Sequence, residues 1–175
     1  MSISTHRHWR FLIALALFIG GVVTAHAWTE DISKLKDINT LCKLEPDAQC
    51  SWAIRVGLQA PGVDMHNASM ASMRLDKANL QGANLSYAIL QLASLKGANL
   101  MLANMQGAHL HGVNFQEANL TMANLMDTNL LDADLSGANL RGANLTGAIL
   151  IKAKFDNAIW TDGRRCAVGS IGECR

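Results

Sequence analysis

The amino-acid sequence predicts an all-β solenoid, in which short sides coil around a narrow apolar axis. Three regularities of period five support this prediction. Every fifth residue is large and apolar from Met65 to Trp160, a series of 20 positions of which 14 are Leu. The residue two positions before each of these centres is Ala in 16 cases, and the residue two positions after is Gly in seven. Neither an α-helix nor a plain strand has this period.

A composite five-residue unit accounts for the period. In the unit that starts at Ala138, the residues Ala138, Asn139 and Leu140 alternate inward, outward and inward, which is a minimal β step. Arg141 and Gly142 then turn the chain, and Gly at the second turn position suits the positive φ of a type II turn. Each unit is one side of a coil with its centre on the axis. The residues alone leave the number of sides per coil open.

These units resemble the repeats of the pentapeptide-repeat family. The pattern Ala-Asn-Leu-x-Gly occurs at 78–82, 138–142 and 143–147, and the match covers residues 63–162. The resemblance implies a right-handed quadrilateral β-helix with four units per coil and about five coils. At about 4.8 Å per stacked strand, the column would be about 24 Å tall. Residues one coil apart would then stack on each other.

The first 27 residues have the layout of a secretory signal peptide. Arg7 and Arg10 give a basic start, an apolar run of 13 residues extends over 11–23, and the residues 25–27 form a small-x-small cleavage site. The apolar run is shorter than the about 20 residues that a membrane-spanning helix needs. We therefore expect cleavage after Ala27 and a periplasmic or secreted protein without membrane contact after cleavage. An uncleaved anchor is the alternative.

Four cysteines, two near each end of the repeat, lie beyond the expected cleavage site: Cys42, Cys50, Cys166 and Cys174. An even number in an oxidising compartment indicates disulfides. A zinc site is the alternative, but its ligands are usually closer in sequence and no His lies near either pair. A disulfide requires Cα atoms within about 7 Å. A column of the height that the resemblance implies therefore pairs Cys42 with Cys50 and Cys166 with Cys174.

Both ends of the predicted solenoid carry segments that we expect to cap its open edges. Residues 28–62 are the predicted N-terminal cap, with an amphipathic helix over 30–44 and then a strand. The helix is indicated by apolar residues at Ile32, Leu35, Ile38 and Leu41. The strand is indicated by period-two alternation at Cys50, Trp52, Ile54, Val56 and Leu58. Residues 163–175 are the predicted C-terminal disulfide cap, which follows the large centres Phe155 and Trp160.

One side of the predicted column has apolar residues at outward positions. On the side centred on 70, 90, 110, 130 and 150, we take as a candidate partner face Ile89, Leu92, Leu131, Ile149 and Ile151. Leu131 and Ile151 are expected to stack directly. A secondary patch on the side centred on 80, 100 and 120 comprises Met101, Leu102 and Met122. Contiguous exposed apolar residues indicate an interaction surface more strongly than single ones do.

The sequence predicts no catalytic, cofactor or metal site. His109 and His111 flank Leu110 and both point outward, but their stacked neighbours supply no third metal ligand. The Ala and Leu interior holds no nucleophile and no acid pair, and the glycines lie at turns and not in a phosphate-binding motif. We therefore expect no enzyme activity and no cofactor.

Two columns of Asn are expected on other sides, namely Asn84, Asn104, Asn124, Asn144 and Asn79, Asn99, Asn119, Asn139. Stacked amides form hydrogen-bonded ladders that reinforce a fold. A surface for glycan or cell wall is the alternative interpretation of these columns.

The best-known members of the family protect DNA gyrase by resembling duplex DNA, which requires a strongly acidic column. Residues 63–162 hold eight acidic and six basic residues, a net charge of −2, so we expect neither that role nor a nucleic-acid partner. We expect a non-enzymatic exported scaffold or protein-binding module that acts on an unidentified protein through a flat solenoid face. The alternative is a glycan-binding, wall-binding or structural solenoid that uses its Asn ladders. A monomer or a side-to-side homodimer is expected.

Overall fold

The structure, a computed structural model, describes residues 42–175. Within this range there is no helix and no extended strand. Two turn residues and three extended residues alternate without interruption from residue 46 to residue 160. The predicted signal peptide and the predicted helix over 30–44 lie outside the described residues, apart from residues 42–44, which are not helical.

Each inner extended segment is joined at its middle residue, by parallel bridges, to the coils on both sides. The bridges join residues one coil apart, from Gln49 with Ser69 to Asn139 with Ile159. A coil therefore has four sides of five residues each, as the resemblance implied. We number the sides by their centres: the first side has 50, 70, 90, 110, 130 and 150, the second 55 to 155, the third 60 to 160 and the fourth 65 to 145.

Backbone hydrogen bonds hold the coils together in a repeating scheme. The N–H of each centre up to Leu140 donates to the coil above, as Leu140 itself does to the Ile159 carbonyl at 2.8 Å. The N–H of each middle residue donates to the coil below, as Ile159 does to the Ala138 carbonyl at 2.9 Å. A bond such as that from the Ala53 N–H to the Cys50 carbonyl, at 3.1 Å, closes each turn.

The second turn residue has a positive φ in every unit. These angles lie between 55° and 72°, at 14 non-glycine residues and nine glycines. Glycine is favoured in this region, and an L-residue there costs about 1–2 kcal/mol. The ladder hydrogen bonds therefore impose the turn conformation even where no glycine is present.

The core lies on the axis of the coil, where the pattern predicted it. All centres from Met65 to Leu140 are at most 2% exposed. Near the C-terminal end, Phe155 is fully buried and meets Trp160 edge to face, with ring centroids 5.0 Å apart. The narrow interior is filled by Leu, Met and Phe side chains, and the small residues close the space beneath each corner.

The predicted period-two strand through Cys50 and Leu58 is wrong. The chain turns at 51–52 and 56–57, where Trp52 has a φ of 67° and Gly57 a φ of 70°. Trp52 is consequently 63% exposed, whereas Ala53 is fully buried. The backbone hydrogen bonds between coils determine where each five-residue unit begins and ends. The coil therefore begins before residue 63, although its first centres are not Leu. Those centres are Cys50, Arg55 and Ala60.

Two disulfides join Cys42 to Cys50 and Cys166 to Cys174, with S–S distances of 2.02 and 1.98 Å. The predicted pairing is thus confirmed. The second bond lies in a tail, residues 163–175, that folds back over the last coil. It pairs antiparallel with the second side, through Lys154 and Ile171, and with the third side, through Ile159 and Arg165. No helix among residues 42–175 is long and apolar enough to cross a membrane.

Candidate functional site

Three exposed apolar side chains lie side by side on one coil of the first side. They are Tyr87, Ile89 and Leu92, which we call the lower cluster. Tyr87 and Leu92 occupy the corners on either side of Ile89 and are 58% and 66% exposed. Ile89 and Leu92 belong to the predicted partner face. Tyr87 was missed, although its corner position immediately before Ile89 could have indicated it.

Glycines in the next coil allow the two corner side chains to lie against it. A Cβ atom added at Gly107 would be 2.6 Å from Tyr87 Cε1, and one at Gly112 would be 2.8 Å from Leu92 Cδ2. The Tyr87 and Leu92 side chains of the lower cluster therefore lie against glycine backbone, which carries no side chain. Tyr87, Ile89 and Leu92 thus form one exposed apolar surface.

A polar band separates this cluster from the C-terminal end of the first side. His111 Nε2 lies 3.6 Å from Asp132 Oδ2 in the following coil. Asp132 was missed as a neighbour because it lies at a corner of the next coil, where it stacks above Gly112. His109 is exposed and bridges to Asn129. Among residues 42–175, no group of three His, Cys, Asp or Glu side chains is placed to hold a metal ion.

The remaining residues of the predicted partner face lie beyond this band. Ile149 and Ile151 are exposed and form an upper cluster in the last coil. Leu131 is half-buried, and its N–H donates to Asn129 Oδ1 at 3.1 Å. The predicted face is therefore two apolar clusters, and Leu131 contributes little to the exposed surface.

The secondary patch lies at the corner between the third and fourth sides. Leu102 and Met122 are exposed there in successive coils, and Met122 Cγ would be 3.3 Å from a Cβ at Gly142. Met101 is half-buried. The patch is narrower than the lower cluster because it is confined to one corner.

The two Asn columns form ladders that extend from Asn84 to Asn124 and from Asn79 to Asn119. On the fourth side, Asn124 Nδ2 donates to Asn104 Oδ1 at 3.0 Å, and Asn104 Nδ2 donates to Asn84 Oδ1 at 3.4 Å. On the third side, Asn119 donates to Asn99 at 3.2 Å. Each Oδ1 also accepts from the N–H two residues ahead, as Asn104 does from Gln106. These amide groups are therefore engaged within the protein.

Three titrating groups show shifted pKa values. The hydrogen bond between His66 Nδ1 and Asp64 Oδ1, at 2.9 Å, raises the pKa of His66 and lowers the pKa of Asp64. Burial of Asp134 opposes its ionisation, but hydrogen bonds from Ser136 and Gln116 outweigh burial and hold the pKa of Asp134 below its ordinary value. None of these three groups belongs to the lower cluster.

A four-sided coil of five-residue units with exposed side surfaces defines the class of this protein, the right-handed quadrilateral β-helix. The chain belongs to the pentapeptide repeats family, whose sequence model matches in eight copies over residues 64–101, 93–132 and 128–159. Proteins of this family are generally non-enzymatic structural or protein-binding modules.

Several solved structures of pentapeptide repeat proteins are similar to this chain. Rfr23 from the cyanobacterium Cyanothece 51142 is 31% identical over 61% of this chain and 90% of that chain, with a TM-score of 0.54. A protein of the Arabidopsis thaliana thylakoid lumen is 26% identical over 61% and 68%, with a TM-score of 0.38. HetL of Nostoc, which is involved in heterocyst differentiation regulation, is 28% identical over 69% and 75%, with a TM-score of 0.28. No curated protein matches the chain.

Proposed function

We propose that this protein is a non-enzymatic, exported scaffold or protein-binding module whose partner surface is the lower cluster on the first side. The observation that carries this proposal is the exposure of Tyr87, Ile89 and Leu92 next to one another on a single coil. A few residues that become fully covered supply most of the free energy of a protein interface, and Tyr is enriched among them. A flat face that the ladder holds rigid also loses little conformational entropy on binding.

The charge of the column favours a protein partner over a polyanion. Residues 63–162 carry a net charge of −2, with both signs represented. Nucleic-acid binding relies on clustered basic residues. The polar band, with His111 and Asp132, would provide the polar rim that surrounds the apolar centre of an interface.

Export is supported by the signal-like segment and by the cysteine usage. Both disulfides would persist in the periplasm or outside the cell, whereas reducing cytosol would leave them open. Cell fractionation and N-terminal sequencing test this part: a mature chain starting at Trp28 supports it. A cytosolic protein that begins at Met1 contradicts it.

The partner surface is tested by capture from native periplasmic extract, with wild type compared with the double variant Ile89→Asp, Leu92→Asp. A protein retained by wild type and lost by the variant is the expected result. The matched control is Arg74→Gln, Lys77→Gln, because it changes net charge equally at the same two unit positions on the second side. Circular dichroism verifies that all three proteins are folded.

Retention of the same protein by the folded Ile89 and Leu92 variant would contradict the assignment of the surface.

The glycan-binding alternative has less support, because the ladder amides already bond to one another. Retention on insoluble wall material that is lost in an Asn104→Ala, Asn124→Ala variant would favour it instead. The predicted side-to-side homodimer stays a prediction.

A further inference from the structure

The C-terminal end of the coil is covered on only two of its four sides. The tail forms backbone hydrogen bonds with the second and third sides. The Phe155 N–H donates to the Ser170 carbonyl at 2.8 Å, and the Cys166 N–H donates to the Ala158 carbonyl at 2.9 Å. The first and fourth sides have no covering strand within residues 42–175. The last coil therefore ends in an open half.

The open half presents unpaired backbone groups in a regular arrangement. No described residue accepts from the N–H of Leu145 or Leu150, and none donates to the carbonyl of Ala143 or Ala148. Leu145, Ala148 and Leu150 are half-buried, whereas the equivalent residues of inner coils are buried. Apolar core and unpaired backbone are thus exposed together, which is the usual basis of strand addition at a sheet edge.

The outer edge of the tail has the complementary arrangement. The carbonyl of Arg164 and the N–H of Cys166 point into the coil, so the N–H and carbonyl of Arg165 point away from it. The same alternation makes the N–H and carbonyl of Ile171 point away. Within the described chain, these four groups have no hydrogen-bond partner.

We propose that two copies of this chain associate through their C-terminal ends, each tail covering the open half of the other copy. The tail runs antiparallel to its own last coil. A two-fold axis at right angles to the column reverses the direction of the second copy's coils. Each tail would then run parallel to the open sides of the other copy.

Parallel pairing matches the groups that are available. In a parallel ladder, the N–H and carbonyl of one residue bond to the two residues that flank its neighbour. Arg165 of one copy would bond to the Ala143 carbonyl and the Leu145 N–H of the other. Ile171 would bond in the same way to Ala148 and Leu150. The order along the chain also matches. The tail of one copy passes from its third side to its second, and the last coil of the other copy passes from its fourth side to its first.

Outward side chains would meet across this contact. Ile171 is 54% exposed and Ile149 is 47% exposed, and the pairing places them beside each other. The association would cover Leu145 and Leu150 as well. The two-fold axis makes each contact occur twice, as in most homodimers. This inference does not rest on the proposed partner surface, because Ile89 and Leu92 lie three coils away.

Sedimentation equilibrium of the full protein with both disulfides formed tests the proposal over about 1 to 100 μM, a range that detects a weak to moderate dimer. We expect a monomer–dimer equilibrium. Ile149→Lys is expected to weaken it about tenfold or more, because the charge would be held against Ile171. Ile171→Asp is expected to do the same. The double variant Ile149→Lys, Ile171→Asp is expected to recover most of the loss, because opposite charges then meet between copies.

The matched control is Ile89→Lys, which adds the same charge at the same unit position of the first side and is expected to leave the equilibrium unchanged. A wild type that stays monomeric over the whole range overturns the proposal and leaves the open half to a strand of another protein. A dimer that neither single variant weakens, or that Ile89→Lys weakens equally, also overturns it.

Discussion

At the scale of single residues, the corners of the coil carry the strongest local constraint. The second turn residue keeps a φ near 60° whether it is Gly or a residue as large as Trp52. Glycine has a second role at some corners, where a side chain of the preceding coil lies over it. Gly107 beneath Tyr87 and Gly112 beneath Leu92 are the clearest cases. These glycines shape the lower cluster as well as the turn.

Substitution of two glycines with similar φ separates these roles. Gly107→Ala is expected to lower the free energy of unfolding by about 1–3 kcal/mol, because it adds backbone strain and displaces the Tyr87 ring. Gly82→Ala has the same strain, with a φ of 66°, but nothing lies within 4 Å of the added Cβ. Urea denaturation should therefore find Gly107→Ala more destabilising. If the two substitutions lower the free energy of unfolding equally in a Tyr87→Ala background, the ring causes the difference. If they lower it equally in the wild type, the second role of Gly107 is contradicted.

His66 and Asp64 make one surface contact sensitive to pH. Because Asp64 raises the pKa of His66 above 6.5, the contact stabilises fully below the unfolded pKa of His66 and is lost as pH rises through the folded pKa. It is also lost in acid, as pH falls through the lowered pKa of Asp64. An NMR titration is expected to give His66 a higher pKa in wild type than in Asp64→Asn. Identical values would contradict the contact.

At this scale the sequence pattern predicts the residues that point inward and is less complete for the surface. Period five assigns Leu100 or Ala103 to the core without knowledge of the fold. The exposure of Leu131 and the pairing of His111 with Asp132 depend on which residues lie in the coils above and below. Side-chain contacts at corners, such as that of Tyr87 with Gly107, depend in addition on rotamers, which the sequence pattern does not specify.

At the scale of elements, the Asn ladders join successive coils through side chains as well as backbone. The inner ladder amides Asn99 and Asn104 have three roles, since each donates to the coil below, accepts from the coil above and accepts from a turn N–H. Asn104 has all three partners, in Asn84, Asn124 and Gln106. When one amide is removed, the buried or half-buried groups that it bonded are left without a hydrogen bond, which destabilises the folded protein.

Asn104→Ala is expected to lower the free energy of unfolding by about 1–3 kcal/mol, because three hydrogen bonds are lost. The control is Asn129→Ala, since Asn129 lies between His109 and Ile149 in its column and accepts only from the Leu131 N–H. We expect about 0.5–1.5 kcal/mol for this single bond. Chemical denaturation measures both. A larger loss for Asn129→Ala would show that the ladder contributes little.

The tail is the element that disulfide chemistry holds in place. Joining Cys166 to Cys174 closes a short loop and stabilises the tail by about 2–3 kcal/mol in the chain-entropy description. In the Cys166→Ser, Cys174→Ser variant, we expect faster amide exchange at Gly172 and Phe155, which bond across the tail contact. The inner coils around Leu100 should keep their protection. Uniform loss of protection over the coil would contradict a locally acting disulfide.

The N-terminal units explain why the sequence pattern found only part of the coil. The side chains at Cys50, Arg55 and Ala60 break the Leu series, yet the backbone around them makes the same bonds, such as that from the Arg55 N–H to the Arg74 carbonyl at 2.8 Å. A neighbouring coil is a sufficient template for such a unit. Hydrophobic periodicity therefore predicts the interior of the repeat and underestimates its extent at the end.

At the scale of the whole molecule, the backbone ladder of residues 42–175 joins each coil only to its neighbours, so surfaces are assembled from residues one coil apart. The lower cluster spans one coil and the glycines of the next, and the proposed dimer contact uses only the last coil and the tail. A solenoid of this kind transmits little strain along its axis. We therefore expect partner binding at Ile89 and association at Ile149 to be independent. Binding measurements on the Ile149→Lys variant should give the wild-type partner affinity, and a large change would show that the two surfaces are coupled.

The central claim, that four five-residue sides make one coil, is tested most directly by paired cysteines. Ser94 and Asn114 form one bridge across adjacent coils, where strands lie about 4.8 Å apart. In the Ser94→Cys, Asn114→Cys variant, mass spectrometry after mild oxidation is expected to find the two new thiols joined. In Ser94→Cys, His109→Cys, which a three-sided coil would bring together, both thiols are expected to stay free. A bond in the second variant and none in the first would contradict the four-sided coil and every surface derived from it.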